Sequence, residues 1–566
     1  MVKIALLGNV NMDLFVPKLK ELLSDEGIDN EFYVSGYNQY VQDLINPAST
    51  FNQDKFDIAI VFIDGEEFFN DLINDSLTYS SLNASNITER IEAFVSQINA
   101  ASSNCNTTFL LNTILIRKPT ILGTMDKKHN NSPSDMQRLF NEHINILCTN
   151  KKIIIVDFEG FVARHGHENI YDDRLWYLAR MKFDKEILEL LATMYRDYIC
   201  AFLERNKKII VLDLDNTLYG GVIGEDGIDG IAIGNDGVGK IYCDFQRLIR
   251  ILKERGVLLA ICSKNNYSDV KEVFLNHPSM VLKEEDFIDM RINWNDKVGN
   301  LKEIANRLNL GLDSFVFLDD NPFERELIKS KLPQVTVPDF PADHANLCRW
   351  LIDISFRYFN KVTITDEDKS RFDMYKSEFE RKNLSKVATD LDDFYRSLKM
   401  EATITYNNNN YINRISQLTQ RTNQFNLTTP RYSENQIAWF MNNKNNFVFS
   451  LELNDRFGSS GIVGVSILKI DANVAYIDTL LLSCRVVGRT VENAFIAYML
   501  NFLRKKGIKY IVGEYIPTKK NSLVADLYKK IGFDPCESDN NGKYKYKLTI
   551  TKSCLSIPDW ISVNNK

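Results

Sequence analysis

The sequence predicts a multidomain α/β protein, with a doubly wound parallel sheet in mid-chain between a second α/β block and an α+β block. Three observations lead there. The chain has 566 residues, more than one hydrophobic core serves well, so about two to four domains are expected. Through its first two-thirds, short apolar strands alternate with helical stretches, the rhythm of parallel sheets covered by helices. In the last third, strands at residues 447–453 and 462–468 precede one long helix at 491–506.

The first domain is read as residues 1–206. It opens with a strand at 3–7, turns tightly at Gly8 and Asn9, and continues into an amphipathic helix ending near Leu23. Further strands follow at 58–63, 108–111 and 153–156. The second domain, 207–364, has strands at 209–214, 257–263 and 314–318. A stretch dense in Lys, Arg, Asp and Glu, 365–400, reads as a connecting helical hairpin, and the third domain takes 401–566. The run Asn407, Asn408, Asn409, Asn410 is compositional.

Hydrophobic residues make up 44% and charged residues 25%, the balance of a soluble globular protein. A net charge of -7 argues against a general nucleic-acid binder, which is normally basic. No apolar run approaches the roughly 18–20 residues of a membrane span. Residues 1–8 read as a buried strand, since no small-residue cleavage site follows a long apolar stretch. A cytoplasmic protein with no nucleic-acid or membrane partner is expected. The nine cysteines include no CxxC pair and are odd in number, so neither a disulfide framework nor a zinc site is expected.

Chemistry-bearing residues gather at strand ends. Residues two apart on a strand share a face, so Asp213 and Asp215 converge at the carboxyl end of theirs, where doubly wound folds bind ligands. A second apolar strand ends in Ser263, Lys264 and Asn265, a hydroxyl and backbone amides suited to phosphate oxygens. A third ends in Asp319, Asp320, Asn321 and Pro322, and Lys297 supplies a cation between them. Carboxylates plus a hydroxyl form a hard oxygen site suited to Mg²⁺, which keeps waters for substrate phosphate. An isolated Asp-x-Asp more often decorates a loop; four such groups in order do not.

Asp213-Leu214-Asp215-Asn216-Thr217, Ser263, Lys297 and Asp319-Asp320 resemble motifs I to IV of the haloacid dehalogenase (HAD) superfamily. The resemblance implies that Asp213 attacks phosphorus, while Asp215 protonates the leaving group and then activates the acceptor. Thr217, Ser263, Lys264 and Lys297 would hold phosphoryl oxygens. Asp213, the main-chain carbonyl of Asp215 and Asp320 would bind Mg²⁺, with Asp319 steadying Lys297.

The flanks are more specific. The run from Asp213 to Gly227, DLDNTLYGGVIGEDG, the stretch Arg291-Ile292-Asn293-Trp294-Asn295-Asp296-Lys297, and FLDDNPFERE from Phe317 resemble the FkbH-like proteins (HAD subfamily IIIC). So do Tyr37-Asn38-Gln39-Tyr40, Gln420-Arg421-Thr422-Asn423-Gln424-Phe425-Asn426 and Cys484-Arg485-Val486-Val487-Gly488-Arg489. Tyr219 stands where familiar members have Trp. The family's best-known activity takes the glyceryl unit of 1,3-bisphosphoglycerate, removes phosphate, and leaves a thioester on an acyl carrier protein. Some members place Cys between the motif I aspartates; this chain has Leu214, and Cys262 is the alternative acyl-carrying thiol, or simply a small residue ending a buried strand. The insert at residues 220–240 carries eight glycines and has no room for a large cap, which suits a bulky substrate or an open-faced phosphatase.

The first domain resembles an SGNH hydrolase sheet, with Asn9 where a nucleophilic serine would stand, which implies a structural or carrier-docking role. The third resembles a GNAT acyltransferase. That likeness implies that Arg485, Val486, Val487, Gly488, Arg489 and Thr490 cradle the diphosphate of coenzyme A, or take the pantetheine arm of a carrier protein. The leading expectation is a Mg²⁺-dependent phosphatase and acyl (glyceryl) transferase acting on a phosphorylated small acid. Its rivals are a plain phosphatase on a sugar or metabolite phosphate in polysaccharide or secondary-metabolite biosynthesis, and an acyltransferase with a scaffold HAD domain.

Overall fold

The computed structural model describes residues 1–77, 84–117, 120–128, 130–150, 152–387, 390–538, 543–550 and 555–565. The chain divides into two units, Met1–Ile199 and Cys200–Lys566. The second unit therefore takes in the expected second domain, the connector and the third domain together.

The first unit is built on five parallel strands: β1 (Val2–Gly8), β2 (Asn30–Val34), β3 (Ile58–Phe62), β4 (Thr108–Asn112) and β5 (Ile153–Val156), in the order β2-β1-β3-β4-β5. The central strands β3 and β4 are buried along their whole length, so their apolar runs read as continuous. The edge strand β2, sequence NEFYV, is half exposed and was not foreseen. Gly8 ends β1 where a Cβ would stand 2.7 Å from the Phe62 carbonyl oxygen, so only glycine fits. Asn9 then binds β3's end: its Oδ1 accepts from the Asp64 N–H (2.8 Å), and its Nδ2 donates to the Asp64 carbonyl (3.0 Å). Buried Lys182 bridges Asp64 (2.6 Å) and Glu66 (2.7 Å).

In the second unit, four parallel strands come first: β6 (Ile209–Leu212), β7 (Leu258–Ser263), β8 (Asp289–Ile292) and β9 (Phe315–Leu318), in the order β8-β7-β6-β9. Alternate residues face opposite sides. Ile210, Leu212, Leu259 and Ile261 pack toward the helices Gly237–Glu254 and Leu347–Phe359. Ile209, Val211, Leu258, Ala260 and Cys262 pack toward the helices Lys297–Leu308 and Pro322–Lys331. The insert after β6 is small: Gly220 pairs with Ala232, and between them lies the helix Ile223–Gly230.

The connector forms three helices, Asp366–Lys369, Arg371–Val387 and Leu391–Leu398, rather than a hairpin of two. Gly256 (φ +88°) lets it approach, because a Cβ there would meet the Asp368 carbonyl oxygen. Asp368 is fully buried and gathers Lys361 (2.9 Å), Arg371 and Gln417 (3.3 Å). Burial, then the cations Arg371 and Arg421, push the Lys361 ammonium down to about 7 despite Asp368.

The remaining strands form one sheet: β10 (Met400–Tyr406), β11 (Asn446–Asp455), β12 (Gly458–Asp471), β13 (Val474–Leu482), β14 (Tyr510–Tyr515), β15 (Asp534–Ser538), β16 (Tyr544–Thr549) and β17 (Ile561–Asn565). Their order is β15-β16-β14-β13-β12-β11-β10-β17. β10 to β13 run antiparallel to their neighbours, β13 pairs with β14 in parallel, and β17 lies parallel beside β10. β14 meets only the first half of β13, from Val474 to Ile477. Beyond it the chain fills the gap with Phe425, Asn426 and Leu427. Leu482 N–H donates to the Phe425 carbonyl (3.0 Å), Leu427 N–H to Leu480 (3.2 Å), and Ile516 N–H to Leu427 (2.8 Å).

Among the described residues no helix is long and apolar enough to cross a membrane. Cys105, Cys200, Cys243, Cys262, Cys348 and Cys536 are free thiols. Cys554 lies outside the described residues, as do the side chains of Cys148 and Cys484. The connector is pinned by Arg381, whose guanidinium makes a two-point pair (2.6 and 2.7 Å) with the shielded side-chain carboxylate of Asp455. Arg381→Ala leaves that carboxylate without its main partner and should cost about 3 kcal/mol. A lowered urea midpoint is the readout; an unchanged one would show the pair to be dispensable.

Candidate active site

The carboxyl ends of β6 and β9 lie side by side, and the Asp213 N–H extends their pairing by donating to the Leu318 carbonyl (2.9 Å). This register brings Asp213, Asp319 and Asp320 together, with one carboxylate oxygen of each within 4.8 Å of the others. Lys297, buried at the start of its helix, places its ammonium 3.0 Å from Asp213 and 2.7 Å from Asp319. Burial alone would lower the Lys297 pKa, but the two carboxylates outweigh it and hold it above the usual lysine value. Burial first, then the Asp213 charge, raise Asp319 to about 6 even with Lys297 beside it. Such a concentration of hard oxygens suits a divalent cation with waters of its own, and the set fits Mg²⁺.

Asp215 stands apart from that trio. Its Oδ1 accepts from the Ile223 N–H (3.2 Å) and its Oδ2 from Asn265 Nδ2 (3.0 Å), which also donates to Ser263 Oγ (3.1 Å). Burial raises the Asp215 pKa, only partly offset by Asn265 and the Ile223 amide. One side-chain amide thus joins the hydroxyl of the second motif to the outer aspartate of the first.

Three sequence expectations need correction. Thr217 is fully buried and fastens the acidic pair: its Oγ1 accepts from the Asp320 N–H (3.1 Å) instead of facing a phosphate. Lys264 points to Glu324 (2.6 Å), so its ammonium is already engaged. Cys262 is 0% exposed on the helix-covered face, opposite in phase to Ser263, and burial pushes its thiol up to about 12. Neither access nor acidity suits an acyl-carrying thiol there. Leu214 is likewise buried in the core.

Several side chains of the expected cradle Arg485, Val486, Val487, Gly488, Arg489 and Thr490 are engaged within the fold. Arg489 is buried against Glu378 and Asp455 (3.4 Å), so its guanidinium is not free for a diphosphate. Val486 is fully buried, Tyr395 Oη donates to the Gly488 carbonyl (2.7 Å), and Trp560 Nε1 donates to Thr490 Oγ1 (2.9 Å). In the loop before the helix Val491–Lys505, Val486 and Arg489 are buried, Arg485, Val487 and Thr490 are half-buried, and Gly488 is exposed.

Residues 3–200 match the family model described as FkbH, N-terminal domain. A solved structure of the N-terminal part of protein BF1531 from Bacteroides fragilis, containing a phosphatase domain complexed with Mg, is similar to this chain at 29% identity. The match covers 64% of this chain and 94% of that one, with a TM-score of 0.59. The ribosomal-protein-S18-alanine N-acetyltransferase of Escherichia coli matches at 16% identity over 27% of this chain and 96% of its own, with a TM-score of 0.22. The PaiA N-acetyltransferase of Thermoplasma acidophilum, solved with coenzyme A, matches at 20% identity over 21% and 72%, with a TM-score of 0.18. No curated protein matches the chain.

The four-stranded domain that bears this site is HAD-like. Two residues named in the sequence only as parts of their motifs, with no side-chain role, complete its site. Asn265 joins Asp215 to Ser263, and Asn216, in left-handed backbone (φ 50°), uses its Oδ1 to hold the Gly221 N–H (2.9 Å) and so folds the insert back. Asparagine tolerates that conformation, which was the available signal for Asn216; Asn265 had none beyond its place after Ser263. The burial of Cys262 has a direct check. In native protein at pH 8, iodoacetamide should alkylate exposed Cys536 and leave Cys262 unmodified by peptide mass mapping. Equal labelling of both would contradict the placement of Cys262.

Proposed function

We propose that this protein is a Mg²⁺-dependent phosphatase that acts through a covalent aspartyl-phosphate on a phosphorylated small organic acid or related metabolite. The observation that carries the reading is the cluster of Asp213, Asp319 and Asp320 around the Lys297 ammonium. The Mg²⁺ in the solved relative supports the choice of metal. Held by Asp213, Asp320 and the Asp215 carbonyl, Mg²⁺ would neutralise charge on the phosphoryl oxygens.

The steps follow from the residues. An Asp213 oxygen bonds to phosphorus as the ester oxygen leaves, and the departing oxygen takes the proton of Asp215. Asp215, raised in pKa by burial, holds that proton nearer neutrality than an ordinary aspartate would. It then accepts a proton from the water that attacks phosphorus, releasing phosphate and freeing Asp213. Lys297 and Ser263 contact the phosphoryl oxygens, so most of the catalysis is positioning and charge stabilisation. Neither Leu214 nor Cys262 offers a thiol to the centre. Loading of an acyl carrier protein, or transfer to coenzyme A, would therefore require the acceptor to bring its own thiol to the phosphorylated carbonyl.

Phosphate release from a panel of phosphomonoesters and acyl phosphates should require Mg²⁺, stop with EDTA, and be lost in Asp213→Asn. Near-wild-type release by that variant would defeat the mechanism. In Asn265→Ala, kcat should fall about tenfold or more while KM changes little, because the proton donor loses its orientation rather than the phosphate its ligands. A rise in KM at constant kcat would assign Asn265 to binding instead.

A further inference from the structure

Beyond the carboxyl ends of β7, β8 and β9 stand three exposed aromatic rings, two in the first turns of helices and one in a loop, each close in sequence to a residue of the phosphoryl centre. Tyr267 follows Ser263 by four positions and is 45% exposed. Trp294 precedes Lys297 by three and is 69% exposed. Phe323 follows Asp320 by three and is 71% exposed. Single exposed rings are ordinary on a protein surface. Here all three lie within four residues of a group of one catalytic centre, and the Trp294 hydrogen bond to Asn266 sets that indole next to Asn265, which contacts Asp215 and Ser263.

Trp294 is also held in place. Its indole N–H donates to Asn266 Oδ1 (3.0 Å), whose own amide donates to Asp269 (3.1 Å). The residues on either side fix the loop. Asn293 N–H donates to the Ser263 carbonyl (3.2 Å), its side chain exchanges hydrogen bonds with Asn300 (3.0 and 3.3 Å), and Asn295 N–H donates to Asn293 Oδ1 (3.0 Å). A bulky indole kept in solvent by a braced loop gains nothing for the core, since its face is not packed there. The charge around these rings is already met: Lys264 pairs with Glu324, and the Tyr267 hydroxyl donates to Glu284 (2.8 Å).

We infer that Trp294, with Phe323 beside the opposite strand end, recognises the leaving group of the substrate, and that this leaving group carries a flat ring. The inference rests on the phosphatase reading, which seats the phosphoryl group at Asp213, so that whatever it is esterified to emerges past these rings. A rigid aromatic face in water selects a planar or heterocyclic ring by stacking, and a second phosphate or a carboxylate gains nothing from it. Trp294 is then a specificity-determining residue, separate from the groups that break the phosphorus–oxygen bond.

The test compares 1-naphthyl phosphate with ring-free glycerol 3-phosphate, taking the ratio of their kcat/KM values in the full-length protein with Mg²⁺. That ratio should fall about tenfold in Trp294→Ala, equivalent to the loss of about 1.4 kcal/mol of stacking. It should stay within about twofold of wild type in Trp294→Phe, which keeps a ring. Phe323→Ala should lower it in the same direction. An unchanged ratio in Trp294→Ala, or an equal loss in Trp294→Phe, overturns the inference while leaving the phosphatase reading standing. Wild-type protein that releases phosphate from neither ester, nor from acetyl phosphate, overturns that reading, and the inference with it.

Discussion

Asp213, Asp319 and Asp320 sit at the ends of two paired strands, and at that spacing in a buried setting their charges repel strongly. What makes the arrangement tenable is a single ammonium. Lys297 reaches it from the first turn of a helix whose start is fixed by Asp296, whose side chain accepts from the Gly299 N–H. The carboxylates keep Lys297 charged despite its burial, and the Lys297 ammonium, 3.0 Å from Asp213, offsets their negative charge in return. Everything else in the central domain can be read as holding that ammonium and those carboxylates in register: the pairing of β6 with β9, the Thr217 tie to Asp320, and the Arg325 side chain on the carbonyls of Asp319 and Asp320.

The strands that bear this centre were legible in the sequence because they are buried on both faces. β6, β7 and β9 therefore read as unbroken apolar runs. Three of the strands not read from the sequence lie at sheet edges. β2 is half exposed, β8 is four residues long with a buried aspartate at its head, and β17 gains its place only from a distant partner, β10. Edge strands mix polar and apolar residues, so their pattern resembles that of a loop.

The site shows the same division. Residue type and order were enough to bring Asp213, Asp215, Ser263, Lys297, Asp319 and Asp320 to one place. They were not enough for Lys264 or Arg489, whose charges look free in sequence but are met in the fold by Glu324 and by Glu378 with Asp455. A cation's partner is a tertiary fact, set by an element far along the chain. Cys262 failed for a simpler reason: the period of two that brings Ser263 to the centre turns its neighbour into the core.

The wedge of Phe425, Asn426 and Leu427 bears on how the carboxyl-terminal domain meets other molecules. Its backbone hydrogen bonds run to β13 on one side and to Ile516 on the other, so the space between β13 and β14 is a third strand position, already taken. A ligand entering there competes with covalently attached chain. Its apparent affinity equals its intrinsic affinity scaled by the fraction of molecules in which the wedge has withdrawn. With about one molecule in a hundred open, binding would weaken about a hundredfold, and a mutation that loosens the wedge would strengthen it with no new contact made.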